Sequence, residues 1–150
     1  MNRVFNVLLA ALLVGSHAQA ADKKLQLKDL SPEVQKTVQN QAKGAEITSI
    51  VKETEKGVAQ YEVETLVNGK HRDFNVDAKG NLLVVEEETS LDNIPAPAKA
   101  AIEKKTAGGK LGMVEVVKDG NKTVYEAAFT SKGGKKHELL VNADGSEAKD

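Results

Sequence analysis

Gly57 to Gly80 reads GVAQYEVETLVNGKHRDFNVDAKG, and Asn121 to Gly145 reads NKTVYEAAFTSKGGKKHELLVNADG. The second stretch is an altered copy of the first. Tyr61-Glu62 returns as Tyr125-Glu126, 64 positions on, and the same offset carries Leu30 onto Ile94, Val38 onto Ile102, Gly44 onto Gly108 and Ile47 onto Leu111. After the middle turn the offset grows by one, so that Gly80 meets Gly145. Self-similarity at a fixed period is the signature of a repeat, and it outranks any local reading. The chain reads as two tandem units, residues 30–88 and 94–150, joined by a linker at 89–93 and preceded by a charged segment, 21–29.

Each unit begins with a helix. Ser31 suits an N-cap, Pro32 the first helical position and Glu33 the positive end of the helix dipole. Val34, Val38 and Ala42 at four-residue spacing form one apolar stripe, and Gly44 ends the helix. In the second unit Pro97 to Ala107 is the equivalent helix, with Ala98, Ala101 and Ile102 inward and Gly108-Gly109 as the stop.

Beyond Gly44 the period becomes extended. Turn signals at Glu55-Lys56-Gly57, Asn68-Gly69 and Asp77-Ala78-Lys79-Gly80 separate four strands near 46–54, 58–67, 70–76 and 81–88. Asn-Gly between strand-like residues is the strongest short-range hairpin signal. The facing of the first strand is unreadable, because Ile47, Ile50 and Val51 fit no alternation. The second unit has turns at Asp119-Gly120, Ser131-Lys132-Gly133-Gly134 and Asn142-Ala143-Asp144-Gly145, and a short polar last strand, 146–150. The fold class is α+β: tandem α-β-β-β-β repeats, an antiparallel meander with helices on one face.

Alternation sorts the strands into two faces. Tyr61, Val63, Phe74 and Val76, matched by Tyr125, Ala127, Phe129, Leu139 and Val141, should meet the helices. Glu62, Glu64, His71, Asp73 and Asn75, with Glu126, Thr130, Glu138 and Leu140, should face water. Glu86-Glu87-Glu88 reads as a solvated strand end.

Residues 1–20 have a basic start, an apolar run from Val7 to Val14 and a small-residue exit, Ala18-Gln19-Ala20. That pattern is a secretory signal, cleaved near Ala20-Ala21, which places the mature chain in the periplasm or outside the cell. The apolar run is shorter than the roughly 20 residues of a membrane span. The remaining 130 residues carry 20 Lys+Arg against 22 Asp+Glu, interspersed throughout, which excludes the basic footprint of a nucleic-acid binder. With no Cys, the fold depends on its core.

The residues offer no catalytic set. After the leader there are two His, His71 and His137, no Cys, and no Gly-x-Ser-x-Gly elbow. Gly109-Lys110 and Gly134-Lys135 lack the remaining residues of a phosphate loop. His71 and Asp73 share a face while His137 belongs to the inward set, so no metal site and no cofactor are expected.

The order helix, Gly44, Ile47-x-x-Ile50, charged turn, Tyr61-Glu62-Val63, Asn68-Gly69, Phe74-Asn75-Val76-Asp77-Ala78-Lys79-Gly80 resembles the PepSY and PepSY-like domains. Two such units in tandem are similar to the β-lactamase-inhibitor-protein-like fold. The second unit departs from the pattern at Ala127 and at Leu139-Leu140-Val141-Asn142. The resemblance implies a curved sheet of up to eight strands with both helices on one side, and a role in the bacterial envelope binding or restraining peptidases and other hydrolases. The expected partner is therefore an envelope protein, met by a face carrying Glu62, Glu64, His71, Asp73, Glu126 and Glu138. A cation- or small-ligand-binding sensor or buffer is the alternative that the same acids with His71 allow.

Overall fold

The computed structural model describes residues 24–55 and 57–148. The expected secretory signal lies outside the described residues. Two α-helices, α1 (Pro32–Gln41) and α2 (Ala96–Thr106), accompany seven strands: β1 (Glu46–Glu55), β2 (Val58–Val67), β3 (Lys70–Asp77), β4 (Leu82–Thr89), β5 (Lys110–Asp119), β6 (Lys122–Thr130) and β7 (Lys136–Val141). The arrangement is α+β, an antiparallel meander in which strand order follows chain order. The chain divides into two units, with the division between Val85 and Glu86, inside β4.

In the first unit Ser31 caps α1 by accepting from the Val34 amide at 3.4 Å, and Gly44 follows the helix with φ of 81°. Val34 and Val38 are fully buried against Ile50, Val63, Phe74 and Val76. Such side chains each stabilise by about 1.5–3 kcal/mol on leaving water, which holds α1 to the sheet. The β2–β3 hairpin turns through Asn68 at φ 53° and Gly69 at φ 79°, the two left-handed residues that a type I′ turn demands. Its flanking pair is Val67↔Lys70.

The awkward spacing of β1 has a physical cause. The β1–β2 register shifts between Ile47 and Ser49, a bulge that lets Ile47 and Ile50, three residues apart, both reach the α1 side. The second unit does the same between Leu111 and Val114, and both of these side chains join the core under α2. Ala98 and Ile102 of α2 are fully buried there with Ala127 and Val141.

In both units an aspartate closes the turn that follows the third strand. In the first, the Asp77 carboxylate accepts from the Lys79 and Asn81 amides at 2.8 Å, closing the turn that ends at Gly80. The Thr37 hydroxyl donates to the Gly80 carbonyl at 2.6 Å. In the second, Asp144 accepts from the Ser146 amide at 2.9 Å.

Two expectations change. The eighth strand at 146–150 reduces, among the described residues, to a single bridge between Glu147 and Val141, with the Ala148 amide donating to Leu140 at 2.9 Å. Ser146 and Glu147 bring no apolar side chain to bury against α2, so little beyond backbone bonds holds them to β7. Glu86, read as part of a solvated strand end, is 8% exposed.

Candidate functional site

In the first unit, the sheet face turned away from α1 is built on β1, β2 and β3. The register sets Glu53 against Gln60, and Glu62 between Val51 and Asn75. Gln60 and Asn75 are 5% and 2% exposed, and both donate to one oxygen of Glu53, at 2.7 and 3.2 Å. Two amides therefore hold a carboxylate in one orientation on this face. Side chains on adjacent strands lie roughly 4.5–5.5 Å apart at Cβ, so long neighbours on either side exclude water from the middle strand.

Beside that carboxylate stands a second construction. Asp73 accepts from the Thr65 amide at 2.8 Å, and its other oxygen lies 3.6 Å from Nδ1 of His71. The Thr65 hydroxyl donates to the Arg72 carbonyl. These side-chain bonds stand where regular ladder pairing of β2 with β3 lapses between Val63↔Phe74 and Leu66↔His71. Burial holds the Asp73 carboxyl above its ordinary value; the Thr65 amide and His71 oppose that rise, and Glu64 adds to it. Glu64 is thus close enough for its charge to be felt at Asp73. Of the residues expected on this face, Glu62, Glu64, His71 and Asp73 come together on β2 and β3; Glu62 and Glu64 are half-buried and His71 is exposed.

The second unit has its own face, turned away from α2. Glu115 of β5 stands opposite Glu126 of β6, Val117 opposite Val124, and Glu126 opposite Leu140. Glu126, expected to meet solvent, is 6% exposed and Glu115 7%. The face differs from expectation in that Val117 and Val124 are fully buried on it beside the two carboxylates. Glu138 is half-buried, and burial raises its carboxyl above the ordinary value. His137 points the other way and stacks on Phe129 at 5.0 Å between ring centroids, as the alternation of β7 requires.

Glu53 and Glu115 were not singled out from sequence. Both follow a bulge, and the bulge is what erases the period-2 signal that would have placed them. Among the described residues no group of three or more His, Asp and Glu is arranged to hold a metal ion. What the first unit's face can offer is a set of oriented acceptors, suited to Lys or Arg side chains of another molecule.

Comparison with known proteins accords with this architecture. Residues 32–80 match the model of the PepSY family, the "Peptidase propeptide and YPEB domain". Among solved structures, a Bacteroides eggerthii protein provisionally described as periplasmic is similar at TM-score 0.65 and 15% identity, covering 80% of this chain and 86% of its own. A DUF2874 family protein of Bacteroides ovatus gives 0.62 and 16%, with 80% and 85% covered. A BLIP-like protein of Bacteroides fragilis gives 0.57 and 24%, with 79% and 82% covered. No curated protein sequence matches the chain. Residues 32–80 thus match the PepSY family, and the chain has the fold of the BLIP-like protein. Among the described residues no helix is long and apolar enough to cross a membrane.

Proposed function

We propose that this chain is an exported, non-catalytic binding module that restrains a peptidase or other hydrolase of the cell envelope. The observation that carries the reading is the face of β1, β2 and β3. Its carboxylates are oriented before any partner arrives, Glu53 by Gln60 and Asn75 and Asp73 by the Thr65 amide. Acceptors already ordered lose little conformational freedom on binding, so more of each contact's free energy appears as affinity. The matched family's description as a peptidase propeptide domain and the BLIP-like fold of the Bacteroides fragilis protein support the class of function by analogy of fold. A periplasmic location agrees with the secretory signal read from the sequence. We also read residues 30–88 and 94–150 as tandem copies joined at 89–93. In support, Leu30 and Ile94 are buried at equivalent positions, as are Val38 and Ile102.

In this reading Glu62, Glu64, His71 and Asp73 form the main contact, and Glu126 and Glu138 contribute from the second unit. The test is crosslinking capture from an envelope extract of the source organism, with the chain as bait. A single saturable partner that is lost when Glu62, Glu64 and Asp73 are changed to Lys supports the module; capture that survives the changes contradicts it.

A cation-binding sensor or buffer is the second reading, favoured by the His71–Asp73 contact with Glu64 alongside. A ligand that binds only the native state must raise the melting temperature with its concentration. Titration with Ca²⁺ and Zn²⁺ that leaves the melting temperature unchanged removes this reading.

A further inference from the structure

The turn between β5 and β6 carries a motif that the sheet faces do not use. Asp119-Gly120-Asn121-Lys122-Thr123 joins the two strands, and Asn-x-Thr or Asn-x-Ser with x other than Pro occurs nowhere else in the chain. In an exported protein that triplet marks an acceptor for a glycan on the Asn carboxamide. Such triplets also arise by chance, so the surroundings of this one in the fold decide what it can do.

Asp119 pairs with Lys122 and Lys118 with Thr123, which leaves Gly120 and Asn121 as a two-residue loop at the tip of the hairpin. Gly120 supplies the positive φ, 57°, and a Cβ there would have nothing within 4 Å. Asn121, Lys122 and Thr123 are all exposed, and burial begins only at Val124. A glycan is bulky and hydrophilic and must extend into water once the chain has folded. Asn121 meets that need, since it lies beyond the last rung of the ladder, at the opposite end of β5 and β6 from the Lys110↔Thr130 pair.

Other asparagines of the chain are committed elsewhere. Asn75 is 2% exposed and donates to Glu53 at 3.2 Å. The Asn81 carboxamide donates to Asp77 at 2.8 Å, and that of Asn142 to the Ser146 hydroxyl at 3.0 Å. Among the described residues no hydrogen bond engages the carboxamide of Asn121 or the hydroxyl of Thr123. Opening the two terminal rungs, Asp119↔Lys122 and Lys118↔Thr123, frees the whole motif without disturbing the core under α2.

We propose that Asn121 is an N-glycosylation site, a modification that rests on the export proposed above but not on hydrolase binding. The donor is a glycan carried on a polyprenyl pyrophosphate, and the Thr123 hydroxyl is what an oligosaccharyltransferase holds while the step occurs. Nδ2 of Asn121 attacks the anomeric carbon of the first sugar. The bond from that carbon to the pyrophosphate oxygen breaks, polyprenyl pyrophosphate leaves with the bonding electrons, and one carboxamide proton passes to a base of the transferase. Nothing is oxidised or reduced.

The test uses the full chain, purified from the envelope of its source organism and digested, with the peptide containing Asn121 sequenced by mass spectrometry under electron-transfer fragmentation. The expected result is a glycan on Nδ2 of Asn121 in a mature chain that begins near Ala21. Asn121→Gln and Thr123→Ala should each abolish the modification and Thr123→Ser should retain it, all at the melting temperature of the unglycosylated wild-type chain. A turn that is merely exposed predicts no difference between Thr123→Ala and Thr123→Ser. Bare Asn121 in a chain cut near Ala21 would overturn the proposal and leave the export reading standing, whereas bare Asn121 with residues 1–20 retained would overturn both. A glycan confined to Ser or Thr side chains, or one on Asn121 that survives Thr123→Ala, would also overturn it.

Discussion

A Cβ placed on Gly80 would stand 2.8 Å from the carbonyl oxygen of Glu33, in the first turn of α1. Gly80 also has φ of 84°, a conformation that L side chains rarely adopt. Gly145 makes the equivalent approach to the Pro97 carbonyl at 2.6 Å, with φ of 84°. In each unit a glycine thus lets the turn after the third strand close on the start of the helix.

Substitution at these glycines separates backbone conformation from crowding. Gly80→Ala and Gly145→Ala should each destabilise by about 2–4 kcal/mol, combining a positive-φ cost of about 1–2 kcal/mol with overpacking against backbone. Gly57→Ala and Gly44→Ala have positive φ but nothing within 4 Å, and should lose only about 1–2 kcal/mol. Urea denaturation of the four variants checks the ordering.

A second prediction concerns pH. Burial raises the Asp73 carboxyl above its ordinary 3.8, so the native state holds that proton to higher pH than the unfolded chain does. Stability from this group therefore falls as pH rises through the interval that begins near 3.8, and the loss persists at neutral pH. Asp73→Asn keeps an oxygen for the Thr65 amide and removes the charge. The variant should melt above wild type at about pH 7 and level with it near pH 3, where both states are protonated in wild type.

The third prediction tests how α1 is fastened at its far end. The Arg72 guanidinium donates at 3.0 Å to both the backbone carbonyl and the side-chain oxygen of Gln41, and lies 5.8 Å from the Phe74 ring centroid. Arg72→Lys keeps the charge and loses the forked geometry, so it should cost about 1–2 kcal/mol, read from the denaturation midpoint.

Core truncation should follow burial. Phe74 and Ile102 are both fully buried, one in each core cluster. Phe74→Ala should cost about 3–5 kcal/mol and Ile102→Ala about 2–5 kcal/mol, with calorimetry as the measurement.

The sequence reveals the fold wherever a residue has one dominant physical requirement. Asn68-Gly69 can be placed because a two-residue hairpin needs two left-handed residues, and Val34, Val38, Ala98 and Ile102 because a helix must bury one stripe. Ile47 and Leu111 resist reading because a bulge breaks the alternation at both. The candidate site was legible only in part for a related reason. Alternation tells which face Glu126 occupies, but its burial depends on Glu115, Val117 and Val124, which only the register brings beside it. Of the strand expected at 146–150, the described residues form only the bridge of Glu147 to Val141, since Ser146 and Glu147 set no apolar side chain against the sheet.

The measurement that bears most directly on the proposed function is site-specific photocrosslinking in the envelope. A photoreactive residue replaces Glu62 on the sheet face in one variant and Lys36 on the exposed side of α1 in another. The account predicts one discrete adduct from position 62, absent from position 36 and abolished by Glu64→Lys with Asp73→Lys. Adducts of equal yield at both positions, or none at 62 in cells where wild-type chain captures a partner, would contradict it.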